Sequence, residues 1–158
     1  MITIFTDGGC DINRRGANNI GGYAYAIINE SGIKMRESVK KVNNTTNNEM
    51  ELLGVISALQ SLADKNEEIL IRCDSNYVVN AINLNWINKW VTKNFTRKNG
   101  TEDIPNAKHW RVLWELLQKF PNVKFKWIKA HQNNNSWNDY VDKLVQSVYQ
   151  KNFTVINS

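Results

Sequence analysis

Runs of β-branched and aromatic residues alternate along this chain with segments of helical periodicity, and these two patterns predict most of its elements. Apolar or alternating runs predict five strands, at residues 2–7, 23–28, 33–42, 68–74 and 123–130, the second and third forming a hairpin. Apolar residues at helical spacing predict four helices, one after Thr46, one from Ser75 to about Asn88, one at 110–120 and one at 138–150. The order β-β-β-α-β-α-α-β-α is typical of an α/β layered protein.

The helix after Thr46 carries an acidic residue at an unexpected position. Thr46 and Glu49 form a capping-box signature at the start of this helix. The apolar residues that follow share one broad arc of a helical wheel: Leu52, Val55, Ile56, Ala58, Leu59, Leu62 and Ala63. Glu51 falls inside this arc, which faces the predicted sheet, so its carboxylate is a candidate for a functional role.

Three further acids lie where the predicted sheet would bind a ligand. Asp7 and Asp74 end the first and fourth strands, and ligands of α/β sheets gather beyond the carboxyl ends of strands. Asp142 lies beside the apolar face of the last helix. Carboxylates that meet there repel one another, and a site of this kind suits Mg²⁺ or Mn²⁺. The alternative is that each acid is separately salt-bridged or solvated.

Composition narrows the class of protein. The chain has 158 residues, of which 42% are hydrophobic and 22% charged, as in globular proteins, so we expect one domain over residues 1–158 rather than a disordered chain. The longest apolar run has six residues, which predicts no membrane span. A start without a basic, apolar leader and only two cysteines predict a cytoplasmic protein. The formal charge of +5 is compatible with a polyanionic partner.

Residues 86–98, here called the basic segment, combine aromatic and cationic side chains. The aromatic residues are Trp86, Trp90 and Phe95, and the cations are Lys89, Lys93, Arg97 and Lys98. Cations contact phosphates and aromatic rings stack on bases or sugars, so this composition favours a nucleic-acid-binding surface. The alternative is an amphipathic helix with a solvated basic face, and Glu102 and Asp103 dilute the positive charge just beyond the segment.

Six blocks of the chain, in order from residue 2 to about 150, resemble the type 1 ribonuclease H family. The blocks are residues 6–10, 21–23, 45–52, 74–78, 127–131 and 138–144. The resemblance implies an α/β ribonuclease H-like fold with a five-stranded mixed sheet, in the strand order 3-2-1-4-5, flanked by helices. It implies an endonuclease that hydrolyses the RNA strand of RNA/DNA hybrids with two divalent ions and leaves 5′-phosphate and 3′-hydroxyl ends.

The resemblance also implies catalytic roles for five residues. Asp7 would bridge two Mg²⁺ ions, for which Mn²⁺ is a possible substitute. Asp142 would complete the site of the ion that activates water, and Glu51 and Asp74 would hold the second ion. His131 would assist proton transfer or product release, which suits a side chain whose pKa is ordinarily near neutrality.

Substrate-binding residues follow from the same blocks. Discriminating RNA from DNA requires contacts to 2′-hydroxyls, and amide side chains suit a hydroxyl because they both donate and accept hydrogen bonds. The candidates for the hydroxyl contacts are the Cys10 backbone, Asn47, Asn48, Asn76 and Asn80. Thr46 and Asn106 match positions that hold a phosphate of the DNA strand. Trp90, Lys93 and Lys98 of the basic segment resemble a basic protrusion found in some family members.

We therefore expect a free-standing monomer that binds an RNA/DNA hybrid and has no obligate protein partner. Two rival functions remain: a DNA-cutting nuclease or integrase-like relative of the same fold, and a hybrid-binding module without catalysis. Two loops depart from the family pattern. The loop of residues 11–20, where Asn13 is a candidate contact, is longer than usual, and the loop between His131 and Asp142 lacks the usual glycines.

Overall fold

A mixed β-sheet forms the centre of the protein in a computed structural model that describes residues 1–11, 19–130 and 136–149. The strands within these ranges are β1 (Ile2–Cys10), β2 (Ile20–Ile28), β3 (Lys34–Asn43), β4 (Ile69–Cys73), β5 (Thr96–Arg97), β6 (Glu102–Asp103) and β7 (Val123–Trp127). Five of them form the sheet, in the order β3-β2-β1-β4-β7. β2 is antiparallel to β1 and β3, whereas β1, β4 and β7 run parallel. The predicted fold class and strand order are therefore confirmed.

Helices cover both faces of this sheet. They are α1 (Asn47–Gln60), α2 (Asn76–Asn83), α3 (Trp86–Thr92), α4 (Ala107–Lys119) and α5 (Trp137–Tyr149). Residues of α1, α2 and α4 share the larger hydrophobic cluster, with the fully buried Trp110 of α4 as its largest side chain. Val141 and Val145 of α5 pack on the other face, against Phe5 of β1. No helix among the described residues is long and apolar enough to cross a membrane.

β1 is buried on both faces, and its alternation assigns each residue to one helix layer. Ile2 and Ile4 belong to the larger cluster, whereas Phe5 belongs to the cluster under α5. Successive side chains of a strand point to opposite faces, so Asp7 and Gly9 share the face of Phe5. This alternation directs the Asp7 carboxylate toward the side of the sheet that α5 covers.

The predicted elements differ from the observed ones in several places, beginning with β1, which continues to Cys10 instead of ending at residue 7, and β2, which begins at Ile20 instead of residue 23. The helix predicted from Ser75 to about Asn88 stops at Asn83, because Asn85 adopts a left-handed conformation with φ of 60° and a new helix begins at Trp86. Part of the basic segment forms strand β5, which pairs with β6 in a short hairpin that the sequence pattern does not predict. The last strand ends at Trp127 rather than at residue 130.

Candidate active site

The first carboxylate of the site belongs to Asp7, near the end of β1. Its residue is only 5% exposed, and the backbone N–H of Gly8 donates to Asp7 Oδ1 at 2.9 Å. Thr6 of β1 is in register with Cys73 of β4, the parallel neighbour of β1. Cys73 is the residue before Asp74. The parallel pairing therefore places Asp7 and Asp74 at the same edge of the sheet, as the sequence predicts.

Glu51 reaches this edge from α1 because Gly8 has no side chain. A Cβ at Gly8 would lie 2.3 Å from the carbonyl carbon of Met50, far closer than such atoms approach. The backbone of α1 thus contacts β1 directly, one residue before Glu51 and one after Asp7. The glycine sets the spacing that lets the two carboxylates meet.

Asp74 is held by its position between β4 and α2. Ser75 caps α2, accepting a hydrogen bond from the N–H of Val78 at 3.3 Å. The indole Nε1 of Trp127 donates to the backbone carbonyl of Asp74 at 3.2 Å, which ties the end of β7 to the same position.

Three of the four predicted carboxylates converge. One carboxylate oxygen from each of Asp7, Glu51 and Asp74 lies within 4.8 Å of the other two. Asp142 is outside this set but adjacent to it, since its charge and a hydrogen bond contribute to raising the pKa of Asp7. Gln146 Nε2, one helical turn further along α5, donates to Asp142 Oδ2 at 3.0 Å.

The electrostatics of the cluster are unfavourable for the bare carboxylates. Burial raises the pKa of Asp7 well above its ordinary value, and the charges of Glu51 and Asp74 raise it further. Burial likewise raises the pKa of Glu51, with Asp74 adding to the effect. Glu51 Oε2 is buried without a hydrogen-bond partner in the part of the chain described. An all-oxygen cluster with a buried, partnerless oxygen fits a hard divalent cation.

Several predicted substrate residues lie at helix starts. Thr46 caps α1, accepting from the N–H of Glu49 at 3.1 Å, which confirms the predicted cap. The side-chain oxygen of Asn47 accepts from the N–H of Cys10 at 2.9 Å, so these two candidates are in contact. Asn48 and the first residue of α2, Asn76, are exposed, whereas Asn80 on the next turn of α2 is half-buried. The structure gives these residues positions and leaves their roles as predictions.

Asn106 lies immediately before α4, within a polar network that the sequence does not reveal. Its Nδ2 donates to the hydroxyl of Tyr77 at 3.3 Å, and Trp110 Nε1 donates to the same hydroxyl at 2.8 Å. His109 Nε2 lies 2.8 Å from the carboxylate of Glu49. These contacts connect the starts of α1, α2 and α4.

Among the described residues, the carboxylate of Glu49 does not complete the predicted capping box at the N–H of Thr46 but has other partners. Its carboxylate accepts a hydrogen bond from Thr45 Oγ1 at 2.6 Å as well as contacting His109. Burial opposes ionisation of Glu49, but these two hydrogen bonds lower its pKa overall. The partners are sixty residues apart in sequence, so only the tertiary structure identifies the pair.

The basic segment is partly neutralised and partly buried. Trp90 is half-buried, with its ring centroid 4.9 Å from that of Trp110. Lys98 and Arg97 both pair with Glu102 of β6, at 3.1 and 3.3 Å. Lys93 is exposed and lines an open groove of about 840 Å³, formed by residues 89–94, 96–100 and 104.

Two candidates lie outside the described residues. These are His131, predicted to assist proton transfer, and Asn13 of the longer loop. A further residue that the sequence did not single out is Tyr149, whose hydroxyl approaches Gly9 of β1. Its spacing of seven residues from Asp142 on one helix is the signal that places both on the same face of α5.

Known proteins match both the sequence and the fold. A family model described as RNase H matches residues 1–150. Ribonuclease HI of Synechocystis is 33% identical over 156 residues, covering 99% of this chain and 92% of the relative. Ribonuclease H of Clostridium botulinum is 40% identical over 143 residues, covering 90% of this chain and 91% of the relative.

Solved structures agree on the fold. LC9-RNase H1, a type 1 RNase H with the type 2 active-site motif, superposes with a TM-score of 0.78 at 24% identity, covering 93% of this chain and 71% of that one. LC11-RNase H1, solved in complex with an RNA/DNA hybrid, gives a TM-score of 0.67 at 24% identity, covering 96% and 99%.

The mixed sheet, with acidic residues gathered at the ends of its parallel strands, defines a ribonuclease H-like fold with a candidate metal site. Because the family match spans nearly the whole described chain, the chain belongs to the ribonuclease H family and is a nuclease. The resemblance stated from the sequence blocks is thereby confirmed.

Proposed function

We propose that this protein is an endoribonuclease that cleaves the RNA strand of RNA/DNA hybrids and leaves 5′-phosphate and 3′-hydroxyl ends. The observation that carries the proposal is the convergence of the Asp7, Glu51 and Asp74 carboxylates within 4.8 Å, with Asp142 adjacent. Relatives named ribonuclease H, and the hybrid bound to LC11-RNase H1, support the choice of substrate.

Four carboxylates would hold two divalent cations, Mg²⁺ or, as a substitute, Mn²⁺. Asp7 would be shared by both cations, Asp142 would complete one site, and Glu51 with Asp74 would complete the other. Bound divalent cations would supply a lowered pKa for the attacking water and stabilise charge on the phosphate. The formal charges balance, because four carboxylates carry −4 and two divalent cations carry +4.

The protein's own contribution is a rigid, preorganised set of oxygens. Asp7 lies on β1, Asp74 directly follows the parallel neighbouring strand β4, and Glu51 lies on a helix whose backbone contacts β1. Ligands on such elements do not have to reorganise when substrate arrives, which favours catalysis by positioning. His131 is proposed to move a proton near this cluster.

The starts of α1, α2 and α4 are proposed as the hybrid-binding surface. Helix starts present free N–H groups and a positive dipole end, which suit phosphates. Thr46 and Asn106 would hold a phosphate of the DNA strand there. The residues proposed to contact 2′-hydroxyls are the Cys10 backbone, Asn47, Asn48, Asn76 and Asn80.

Within the basic segment, Trp90, Lys93 and Lys98 are proposed to bind the hybrid further from the cluster. Exposed Lys93 is free to meet a phosphate directly. Lys98 must exchange its pairing with Glu102 for the phosphate contact. We expect the affinity contributed by these cations to decrease strongly with salt.

The test compares cleavage of three labelled substrates: an RNA/DNA hybrid, duplex DNA and duplex RNA. We expect cleavage of the RNA strand of the hybrid with Mg²⁺, and none with a chelator. Asp7→Asn should abolish cleavage while hybrid binding persists. Asp64→Asn, which neutralises an exposed acid away from the cluster, is the matched control and should cleave like the wild type.

Each rival function has its own outcome in this test. Cleavage of duplex DNA in preference to the hybrid would support a DNA-cutting relative. Hybrid binding without metal-dependent cleavage in the wild type would support a binding module. The cytoplasmic location and the monomeric state remain predictions, and sedimentation of the purified chain tests the second.

A further inference from the structure

Tyr149 lies on the face of α5 that carries Asp142. The two residues are seven apart, which is about two helical turns, so both side chains point to the same side. Long side chains on helices lean toward the helix start, and the Tyr149 phenol therefore leans toward Asp142. Val145, between them, packs against Phe5 of β1. α5 thus follows the face of β1 that carries Phe5, Asp7 and Gly9.

The Tyr149 hydroxyl reaches β1 at Gly9. A Cβ at Gly9 would lie 3.1 Å from the Tyr149 hydroxyl and 3.8 Å from Asn47 Oδ1. Asn47 Oδ1 in turn accepts from the N–H of Cys10. The phenol therefore meets β1 two residues after Asp7 and next to the contact between Asn47 and Cys10. Tyr149 itself is half-buried.

The chemistry of this hydroxyl suits a ligand that also both donates and accepts hydrogen bonds. Burial raises the pKa of Tyr149 to about 12, and the charges of Asp7 and Asp142 add to the effect. The phenol therefore keeps its proton at neutral pH and both donates and accepts hydrogen bonds. A sugar hydroxyl matches both capacities, whereas a phosphodiester oxygen can only accept a hydrogen bond and would leave the accepting capacity of the phenol unused.

We propose that the Tyr149 hydroxyl is a further substrate-specificity group, which forms a hydrogen bond with one 2′-hydroxyl of the RNA strand beside the carboxylate cluster. This inference rests on the proposed function, because it requires an RNA strand over Gly9 and Cys10. It adds a contact from α5 to the amide contacts proposed on α1 and α2. The RNA strand is then read from both sides of β1.

The test pairs a protein change with a substrate change. Tyr149→Phe removes only the hydroxyl, and we expect kcat/KM on the hybrid to fall about 3- to 10-fold, the effect of one lost hydrogen bond. The substrates are hybrids with one preferred cleavage position, each carrying a single 2′-deoxy nucleotide at a different place. At one place, the deoxy substitution should slow the wild type by the same factor and leave Tyr149→Phe unaffected.

The control is Tyr140→Phe. Tyr140 lies on the same helix and donates to Glu37 of β3 at 2.7 Å, so the variant removes a phenol hydroxyl from α5 away from the cluster. The effect of Tyr140→Phe on the cleavage rate should add to the effect of every deoxy substitution, without coupling to any one of them. Any loss of stability in a variant affects its cleavage of all substrates alike. Coupling between Tyr149→Phe and one deoxy position therefore indicates a contact and not a folding defect.

Two results would overturn the inference while leaving the proposed function intact. One is a Tyr149→Phe variant that cleaves like the wild type, or loses rate equally with every substrate. The other is an effect of Tyr149→Phe that disappears when a methylphosphonate replaces one phosphate oxygen of the substrate, and not when a deoxy sugar replaces one ribose. Failure of the wild-type protein to cleave any hybrid would instead refute the proposed function.

Discussion

The carboxylate cluster and the basic segment concentrate charge in opposite ways. In the cluster, like charges of Asp7, Glu51 and Asp74 are brought together, and Asp7 is almost completely buried. In the basic segment, Arg97 and Lys98 at the surface are paired with the acid Glu102. The first arrangement is costly for the folded chain alone, which makes it a candidate site for a bound cation. The second neutralises only part of its own charge, through one acid shared by two cations, so its composition alone does not establish binding.

The largest expected effect comes from breaking the cluster at Glu51. Glu51→Gln keeps the size of the side chain but removes the charge that would balance a cation. Loss of a group that only hydrogen-bonds to a metal ligand lowers activity by up to roughly 100-fold. We expect the rate of hybrid cleavage to fall by more than this, because Glu51 would be a ligand itself. The measurement is single-turnover cleavage with saturating Mg²⁺. Glu115→Gln, at an exposed position on α4, should retain full activity, and equal losses in both variants would contradict the assignment.

The next effect concerns stability without metal. Because the folded-state pKa values of Asp7 and Glu51 are raised, these two groups bind more protons in the folded than in the unfolded chain above about pH 4. In a chelator, the contribution of these two groups to stability should therefore fall as pH rises from about 4 through the raised pKa values. Asp7→Asn should weaken this fall, and Mg²⁺ should raise the melting temperature at neutral pH. If the melting temperatures of wild type and Asp7→Asn changed with pH in parallel, the result would contradict this prediction.

A smaller effect separates packing from binding within the basic segment. Trp90 packs on the fully buried Trp110, whereas Lys93 is exposed. We expect Trp90→Ala to lower the free energy of unfolding by about 1–3 kcal/mol and Lys93→Ala to change it by less than about 0.5 kcal/mol. Urea denaturation measures both. An equally stable Trp90→Ala variant would show that packing of the ring on Trp110 does not stabilise the fold.

The smallest effect tests the internal charge balance of the hairpin. Glu102→Gln should release Lys98 and Arg97 for phosphate, raising hybrid affinity about 2- to 5-fold and steepening its salt dependence, since exposed pairs contribute at most about 1 kcal/mol. Glu115→Gln removes the same formal charge elsewhere on the surface. The same gain from both variants would assign the effect to net charge, not to the pairing.

Local patterns predicted those features of the fold that local physics determines. The cap at Thr46, the strand that begins at Ile2 and the acidic position of Glu51 within an apolar arc all follow from residue types and spacing within one element. The meeting of Asp7 and Asp74 also follows, because parallel strands end at one edge.

Features that depend on distant partners or on unusual backbone conformations were not predictable in the same way. The break at Asn85 depends on an asparagine adopting a positive φ, which asparagine tolerates but does not require. The contact of Glu49 with His109 joins residues on separate helices. Trp90 was interpreted as a binding residue, yet its ring also packs on a tryptophan that tertiary structure alone brings near.

Gly8 shows that a residue without any functional group can control the chemistry of its neighbours. Its missing Cβ allows the α1 backbone to lie directly on β1. Even an alanine at this position would force the helix and strand apart, and Glu51 would move away from Asp7. A random screen for inactive variants would therefore recover this glycine together with the acids. The loss would arise from distance alone, with every reactive group still present in the chain.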